Sequence, residues 1–213
     1  FRELGMRIAE IKCICKDKTI SLHSLYQDLP LQISAKARKL QEKIRFHYPL
    51  NKSIIQAAKA IIVHSEHLKK KVQKINPNIP VQKINQGVND NKPSQSKEAI
   101  RIMLDLEKYD FILCSFGLIQ KHKRIKQALA SFALFIKKYP RSLYILIGNP
   151  DETINLDILI KQYKLKNNVL KTGYLPHKKA MEYLYASDLC INLRGPSTGA
   201  TSASLIKSLS VGT

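Results

Sequence analysis

Acidic side chains, cysteine and long apolar runs are all scarce in this sequence of 213 residues. No stretch approaches the roughly 18 apolar residues that a membrane-spanning helix needs, which argues against a transmembrane protein. Four cysteines in a chain of this size do not form a disulfide framework, which argues against a disulfide-rich secreted class. An apolar content of 44% is ample for a packed core, so we expect a folded, soluble, cytoplasmic chain.

Basic residues are abundant: 36 Lys and Arg stand against 16 Asp and Glu, a formal net charge of +20. This balance suits nucleic acid, anionic lipid or phosphorylated ligands, or it reflects a lysine-rich composition without any partner. The densest cluster, "HLKKKVQKI" at 67–75, puts Leu68, Val72 and Ile75 on one helical face. The other faces carry Lys69, Lys70, Lys71 and Lys74. They are either solvated or dock on an anionic membrane surface, and the cluster lacks the interleaved aromatic residues that stack on nucleic-acid bases.

The spacing of histidine and cysteine does not match a metal site. Cys13 and Cys15 form a C-x-C without a second pair of ligands, and no third ligand accompanies His64 and His67. The other two cysteines fall in apolar strand patterns, where small buried thiols are common. This spacing gives little support for a zinc site, and we expect no cofactor.

Short apolar runs alternate with longer segments of helical period, which is the pattern of a parallel sheet covered by crossover helices. The predicted strands are 19–23, 60–65, 81–85, 111–117, 143–148, 168–173 and 188–193. The clearest predicted helices span 124–138 and about 178–186. A polar stretch with Gly87 and Pro93 interrupts the alternation, so we place a linker at 90–96 between two α/β units.

Ligands of open parallel sheets bind beyond the carboxyl ends of the strands, and one such end is rich in lysine. In "FGLIQKHKRIKQALASF", Gly117 ends a strand and Lys121, Lys123 and Arg124 come just before a helix. Cations and unpaired N–H groups at a helix N-terminus suit a phosphate. Since lysine is common throughout the chain, the cluster is also consistent with a solvated surface.

Three further strand ends carry polar groups. In "RGPSTGATSAS", glycines permit an unusual turn, and hydroxyls from Thr198, Thr201 and Ser202 suit an anion, a sugar or simply a capped helix start. Tyr174 follows a strand that ends at a glycine and is placed to line a planar ring, although surface tyrosines are common. His23 ends a strand in the first unit, where a purely structural histidine is the more frequent case.

The order of these segments along the chain resembles that of retaining glycosyltransferases with the GT-B fold, in the large family that uses nucleotide sugars. The resemblance implies two Rossmann-like domains with parallel sheets, both incomplete here. Residues 1–89 would be the later part of the N-terminal, acceptor-side domain and 97–213 the first part of the C-terminal, donor-side domain. The chain begins at Phe1 rather than Met, and we expect the family's remaining segments to lie before it and after Thr213.

Carried over by position, the resemblance assigns roles to several of these residues. Lys123 matches the lysine that neutralises the donor diphosphate, and Gly117 matches the glycine before it. His23 matches the histidine near the transferred sugar, and Tyr174 falls where the nucleotide base is contacted. The turn from Gly199 to Ser204 matches the loop that touches the sugar and the phosphates.

Three positions depart from the family pattern. Ala200 and Lys207 stand where two glutamates usually contact the transferred sugar and the ribose hydroxyls. Some branches have a basic residue at the second place, so Ala200 is the larger departure. Leu118 stands where many members have an arginine for the diphosphate, and Lys121 or Arg124 is the expected substitute.

The reaction that this resemblance implies is sugar transfer from a nucleotide diphosphate to a hydroxyl acceptor, with retention and without a metal. The expected partners are a nucleotide sugar, a carbohydrate or lipid-linked acceptor and an anionic membrane surface, but not nucleic acid. One alternative is a catalytically degenerate relative that serves as a binding or assembly module, as the loss of glutamate at Ala200 suggests. A second is a basic nucleic-acid-binding protein, whose binding would fall steeply with salt.

Overall fold

The computed structural model describes residues 12–15, 18–21, 52–152, 154–195 and 199–213. The chain divides into two compact units, Phe1–Ala58 and Lys59–Thr213. The predicted linker at 90–96 falls inside the second unit, and the assignment of two domains on either side of it stays a prediction.

The first unit contains a two-stranded sheet and a short helix. Strand β1 (Lys12–Cys15) pairs with β2 (Lys18–Ser21) in antiparallel register, with Lys12 opposite Ser21. Only two residues separate these strands, which is enough for a hairpin but not for the crossover that a parallel pair requires. Helix α1 (Lys52–Ala57) buries Ile55.

The second unit opens with a parallel strand–helix–strand arrangement. Strands β3 (Ile61–Val63) and β4 (Val81–Lys83) pair in parallel and flank helix α2 (Glu66–Ile75). The helix begins where the Leu68 N–H donates to the Ser65 hydroxyl over 3.2 Å, as is usual for a serine N-cap. Val72 is its buried residue, and the predicted basic helix therefore forms with its apolar face turned inward.

A four-stranded parallel sheet in the order β7-β6-β5-β8 makes up the rest of the second unit. Its strands are β5 (Phe111–Phe116), β6 (Ser142–Ile147), β7 (Val169–Gly173) and β8 (Leu189–Cys190). Its helices are α3 (Lys97–Met103), α4 (Ile125–Phe135), α5 (Leu156–Gln162), α6 (His177–Ala186) and α7 (Ala203–Ser210). The alternation of helices with parallel strands confirms the expected α/β class.

Both faces of this sheet are covered. All six residues of β6 are buried, and successive side chains alternate between two apolar clusters, as the pleat requires. Leu143 and Ile145 pack with Met181 and Leu184 of α6, whereas Leu146 packs with Leu129 of α4. Burial on both sides explains why this strand appears in the sequence as a continuous apolar run.

Strand β8 is shorter than the predicted strand 188–193. The Asp188 carboxylate accepts from the Ile112 N–H at 2.8 Å and pairs with Arg101 at 2.7 Å, so it begins the strand instead of lying within it. Pairing with β5 then extends over two residues, and Cys190 lies opposite Cys114. Beyond them the chain leaves the sheet.

Strand order reverses direction at β5, since β6 and β7 lie on one side of it and β8 lies on the other. Such a point leaves a crevice beyond the carboxyl ends of the strands on either side of it, here β5 and β8, which is where open α/β sheets bind their ligands. Residues that contact a ligand are therefore expected in the segments that follow β5 and β8.

Among the described residues, no helix is both long and apolar enough to cross a membrane. Within the same residues, no three His, Cys, Asp or Glu side chains are grouped to hold a metal ion. The prediction that this protein needs no metal stays a prediction.

Candidate functional site

Two glycines in close contact form the floor of the crevice. Gly117, at the end of β5, has φ +93°, and its N–H donates to the Ile147 carbonyl at 2.9 Å. Gly148, at the end of β6, has φ +137°, and a Cβ placed on it would lie 2.8 Å from the Gly117 carbonyl carbon. Side chains are thus excluded here, which leaves backbone exposed to a ligand at close range.

Lys123 lies above this floor. It ends the 3-10 turn Lys121–Lys123, its side chain is buried, and its ammonium donates to the Phe116 carbonyl. A Cβ on Gly117 would lie 2.9 Å from the Lys123 Nζ, so the ammonium sits directly beside the glycine. Burial lowers the pKa of Lys123 from 10.5 to about 8, and the charge of Arg194 makes a smaller contribution in the same direction.

Arg194 reaches the same place from β8. The Gly195 N–H donates to the His122 carbonyl at 2.8 Å, which ties the segment after β8 to the turn that carries Lys123. The Arg194 Nη2 donates to the Ser202 hydroxyl at 3.1 Å. Burial and then the charges of Arg194 and Lys123 lower the pKa of His122, so three basic side chains share one small region.

Helix α7 begins over the end of β5. Ser202 is buried and caps the helix by accepting from the Leu205 N–H at 3.3 Å, and the Asn192 amide donates to the same hydroxyl at 3.1 Å. The Ser204 Cβ would lie 3.8 Å from a Cβ on Gly117. The positive end of the helix dipole therefore adds to the positive potential of the crevice.

The loop before α7 is held by the segment that precedes α2. Ser65 donates to the Gly199 carbonyl at 3.2 Å, and Thr201 donates to the His64 carbonyl at 3.0 Å. Gly199 has φ +78°, and a Cβ there would lie 2.6 Å from the His67 Nε2. The His64 carbonyl and the His67 ring thus both contact this loop.

The structure brings Gly117, Lys123, Ser202 and Ser204 together, with the loop from Gly199 to Thr201 nearby. Other predicted site residues lie apart from this group. Tyr174 follows β7 at the sheet edge and is 78% exposed. Lys121 is exposed, whereas the Arg124 guanidinium packs against Gly195, where a Cβ would lie 2.6 Å from the Arg124 Nη2.

Two further predicted residues belong to helix α7 and the loop before it. Lys207 belongs to the last turn of α7, and Ala200 is exposed in the loop before that helix. His23 and Thr198 lie outside the described residues. The roles assigned to all the site residues stay predictions.

Sequence reasoning missed Arg194. The signal available was a cation directly after the apolar run "CINL", at the end of a predicted strand, which is the rule that selected Lys123. Its proximity to Lys123 depends on the pairing of β8 with β5, and strand order is not readable from the sequence.

A parallel sheet with a cationic crevice at its switch point defines an α/β protein suited to an anionic ligand, as in nucleotide-binding folds. Residues 96–194 match the family model described as Glycosyl transferases group 1. These residues match that family over slightly less than half of the chain, and the chain as a whole shares the GT-B fold of its structural neighbours, so the expected resemblance and the expected fold are confirmed.

Individual relatives agree with this assignment. The chain is 25% identical over 205 residues to alpha-monoglucosyldiacylglycerol synthase from Acholeplasma laidlawii, covering 89% of this chain and 49% of the relative. Sucrose-phosphate synthase from Thermosynechococcus elongatus is similar with a TM-score of 0.63 at 20% identity, over 89% of this chain and 46% of that one. HepE from Anabaena, solved with UDP and glucose, is similar with a TM-score of 0.59 at 17% identity, over 85% of this chain and 47% of that one. The chain thus spans about half the length of the curated relative it matches.

Proposed function

We propose that this protein transfers a sugar from a nucleotide diphosphate sugar to a hydroxyl acceptor, with retained anomeric configuration and without a metal. The observation that carries the proposal is the buried Lys123 ammonium beside Gly117. A buried ammonium is costly unless it is paired, and among the described residues no carboxylate pairs with it. A diphosphate in the crevice would supply the missing negative charge.

The chemistry follows from where charge develops. As the sugar–phosphate bond breaks, negative charge accumulates on the departing diphosphate, and Lys123 and the N-terminus of α7 are placed to stabilise it. The acceptor proton would pass to the departing diphosphate itself. Two measurements test the finer points: NMR coupling constants of the product report retention, and a requirement for added divalent metal would contradict metal independence.

Calorimetric titration of UDP and of GDP into the protein at moderate salt tests the donor site. We expect saturable binding of one of the two nucleotides, which would also identify the base. Two structural neighbours, HepE from Anabaena and the pneumococcal GtfA, were solved with UDP, so UDP is the expected ligand. If neither nucleotide binds, the proposed function is wrong for this chain.

The affinity for the nucleotide is expected to fall as pH rises. Lys123 loses its proton near pH 8 in the free protein, and only the charged form attracts a diphosphate. Since binding requires that proton, linkage predicts a loss of about tenfold in affinity between pH 7 and pH 9. Calorimetry across this range measures the loss, and a Lys123→Arg variant, which stays charged, should remove most of it. An equally steep fall in that variant would contradict the assignment.

The acceptor and the membrane surface belong to the same proposal. The Acholeplasma relative is named for making alpha-monoglucosyldiacylglycerol, which supports a lipid acceptor. We propose that the protein works at the inner face of a membrane, where such an acceptor would be reached. Lys70, Lys71 and Lys74 are exposed on α2. Sedimentation with vesicles containing anionic lipid is the test, and equal binding to neutral vesicles would contradict an electrostatic attachment.

Ala200 favours a second candidate function, a degenerate module that binds a nucleotide sugar without transferring it. The Ala200→Glu variant separates the two candidates. If the site is a drifted enzyme, the new carboxylate should contact the sugar and raise the transfer rate by about 30- to 1000-fold, equivalent to about 2 to 4 kcal/mol. The transfer assay uses the nucleotide sugar whose nucleotide binds. An unchanged rate beside unchanged nucleotide affinity would support the binding module.

A further inference from the structure

Arg194 and Lys123 approach each other from opposite sides of the switch point. Lys123 follows β5 and Arg194 follows β8, and the charge of Arg194 acts on both Lys123 and His122. Neither Lys123 nor Arg194 forms an ion pair with a carboxylate among the described residues. Like charges held together in a partly desolvated site repel each other, so the arrangement favours an anion between them.

The present partner of Arg194 is readily given up. The Ser202 hydroxyl receives hydrogen bonds from the Leu205 N–H, the Asn192 amide and the Arg194 guanidinium, at 3.3, 3.1 and 3.1 Å. A hydroxyl oxygen has two lone pairs, so three donors compete for two acceptor sites. The Ser204 hydroxyl is also hydrogen bonded to Ser202, at 3.0 Å. Losing the bond from Arg194 therefore leaves the cap of α7 in place, because the Leu205 N–H stays bonded to Ser202.

The position of Arg194, in contrast, is fixed by its neighbour. Gly195 is hydrogen bonded to the His122 carbonyl on one side and covered by the Arg124 guanidinium on the other. Since these contacts involve the backbone of the next residue, they hold Arg194 beside the crevice, and its side chain is exposed to solvent. A planar guanidinium with five donors suits two phosphate oxygens at once.

We propose that Arg194 binds the phosphoryl groups of the donor opposite Lys123, so that the diphosphate is held between one cation from each side of the switch point. This inference rests on the proposed function and adds a residue to its donor site. Without the ligand, Arg194 is hydrogen bonded to Ser202 at the start of α7, and in the proposed complex it exchanges this bond for contacts with the phosphoryl groups.

The test compares a nucleoside diphosphate with the corresponding nucleoside. Calorimetry with UDP or GDP, whichever binds, and ligand-detected NMR with uridine or guanosine give the two affinities. Arg194→Gln should weaken the diphosphate at least tenfold and change the nucleoside less than twofold. Lys126→Gln, which removes an exposed lysine from α4, is the matched control and should change neither affinity.

Two further variants test the charge of Arg194 and its hydrogen bond to Ser202 separately. Arg194→Lys keeps a charge and should recover part of the lost affinity, while Ser202→Ala removes the hydrogen bond from Arg194 but leaves the guanidinium available. Arg194→Gln should also raise the pH at which nucleotide affinity begins to fall, because the charge of Arg194 lowers the pKa of Lys123, whereas the negative charge of an ionised Cys190 raises it.

The outcomes distinguish the two proposals. If the wild-type chain binds neither UDP nor GDP, the proposed function and this inference both fail. If the nucleotide binds and depends on Lys123 but Arg194→Gln binds it equally well, the donor site stands and the role of Arg194 is wrong. An equal loss of nucleoside and nucleoside diphosphate affinity in Arg194→Gln would likewise overturn it, because it would indicate general damage.

Discussion

Lys123→Ala is expected to weaken nucleotide binding, and any sugar transfer, by about 100- to 1000-fold. The change removes the buried cation beside Gly117, where the charge of the departing diphosphate would otherwise be stabilised. Loss of one such electrostatic contact in a desolvated site corresponds to about 3 to 4 kcal/mol. Calorimetry with UDP and GDP measures the binding, and release of nucleotide from the nucleotide sugar measures the transfer.

A second variant shows that this loss is local. Lys123→Met keeps the length of the side chain and removes the ammonium, so relief from a desolvated charge offsets the unsatisfied Phe116 carbonyl. We expect the free energy of unfolding at pH 7 to stay within about 1 kcal/mol of the wild type. Nucleotide affinity that survives in both variants would remove the main support for the donor site.

Gly148→Ala is expected to lower the free energy of unfolding by about 3 kcal/mol or more. Its φ of +137° is a conformation that side chains rarely adopt, and the new Cβ would overlap the backbone of Gly117. The three atoms nearest to the new Cβ all belong to the main chain of Gly117, so no flexible side chain can move away to relieve the overlap. Since a domain of this kind is stable by about 5 to 15 kcal/mol, urea denaturation should detect the change clearly.

Gly87→Ala is the matched control for this prediction. It makes the same chemical change in the same unit, but a Cβ on Gly87 meets nothing within 4 Å. We expect its midpoint in urea to equal or slightly exceed that of the wild type, because alanine reduces the conformational entropy of the unfolded chain. Equal stability of the two variants would show that the contact between Gly117 and Gly148 tolerates a methyl group.

The sequence was sufficient to predict the central elements of the fold. The buried run of β6 and the apolar stripe of α4 follow from simple periodicity, and the structure places them at Ser142–Ile147 and Ile125–Phe135. The predicted end of β8 was wrong by several residues, because the chain leaves the sheet once the Ile191 N–H has bonded to the Cys114 carbonyl. That departure is decided by tertiary contacts and leaves no periodic signal.

The candidate site was predictable only in part. Gly117 and Lys123 share one strand end, so local sequence was enough to suggest them. Arg194 lies 71 residues beyond Lys123, and only the pairing of β8 with β5 brings the two together. Tyr174 was suggested by the glycine before it; the structure places its side chain 78% exposed after β7, and its role stays a prediction.

The contact between Gly117 and Gly148 also limits how such a protein could diverge. A methyl group at Gly148 would collide with the main chain of Gly117, and one at Gly117 would meet the Lys123 ammonium. A single substitution at either glycine is therefore expected to lower the stability of the fold, whatever new property it brings. Arg194 and Ala200 are both exposed beside the crevice, so a different side chain at either position would extend into solvent and leave the backbone in place. Under the proposed function, donor preference would change first at these exposed positions, while the paired glycines stayed as inherited.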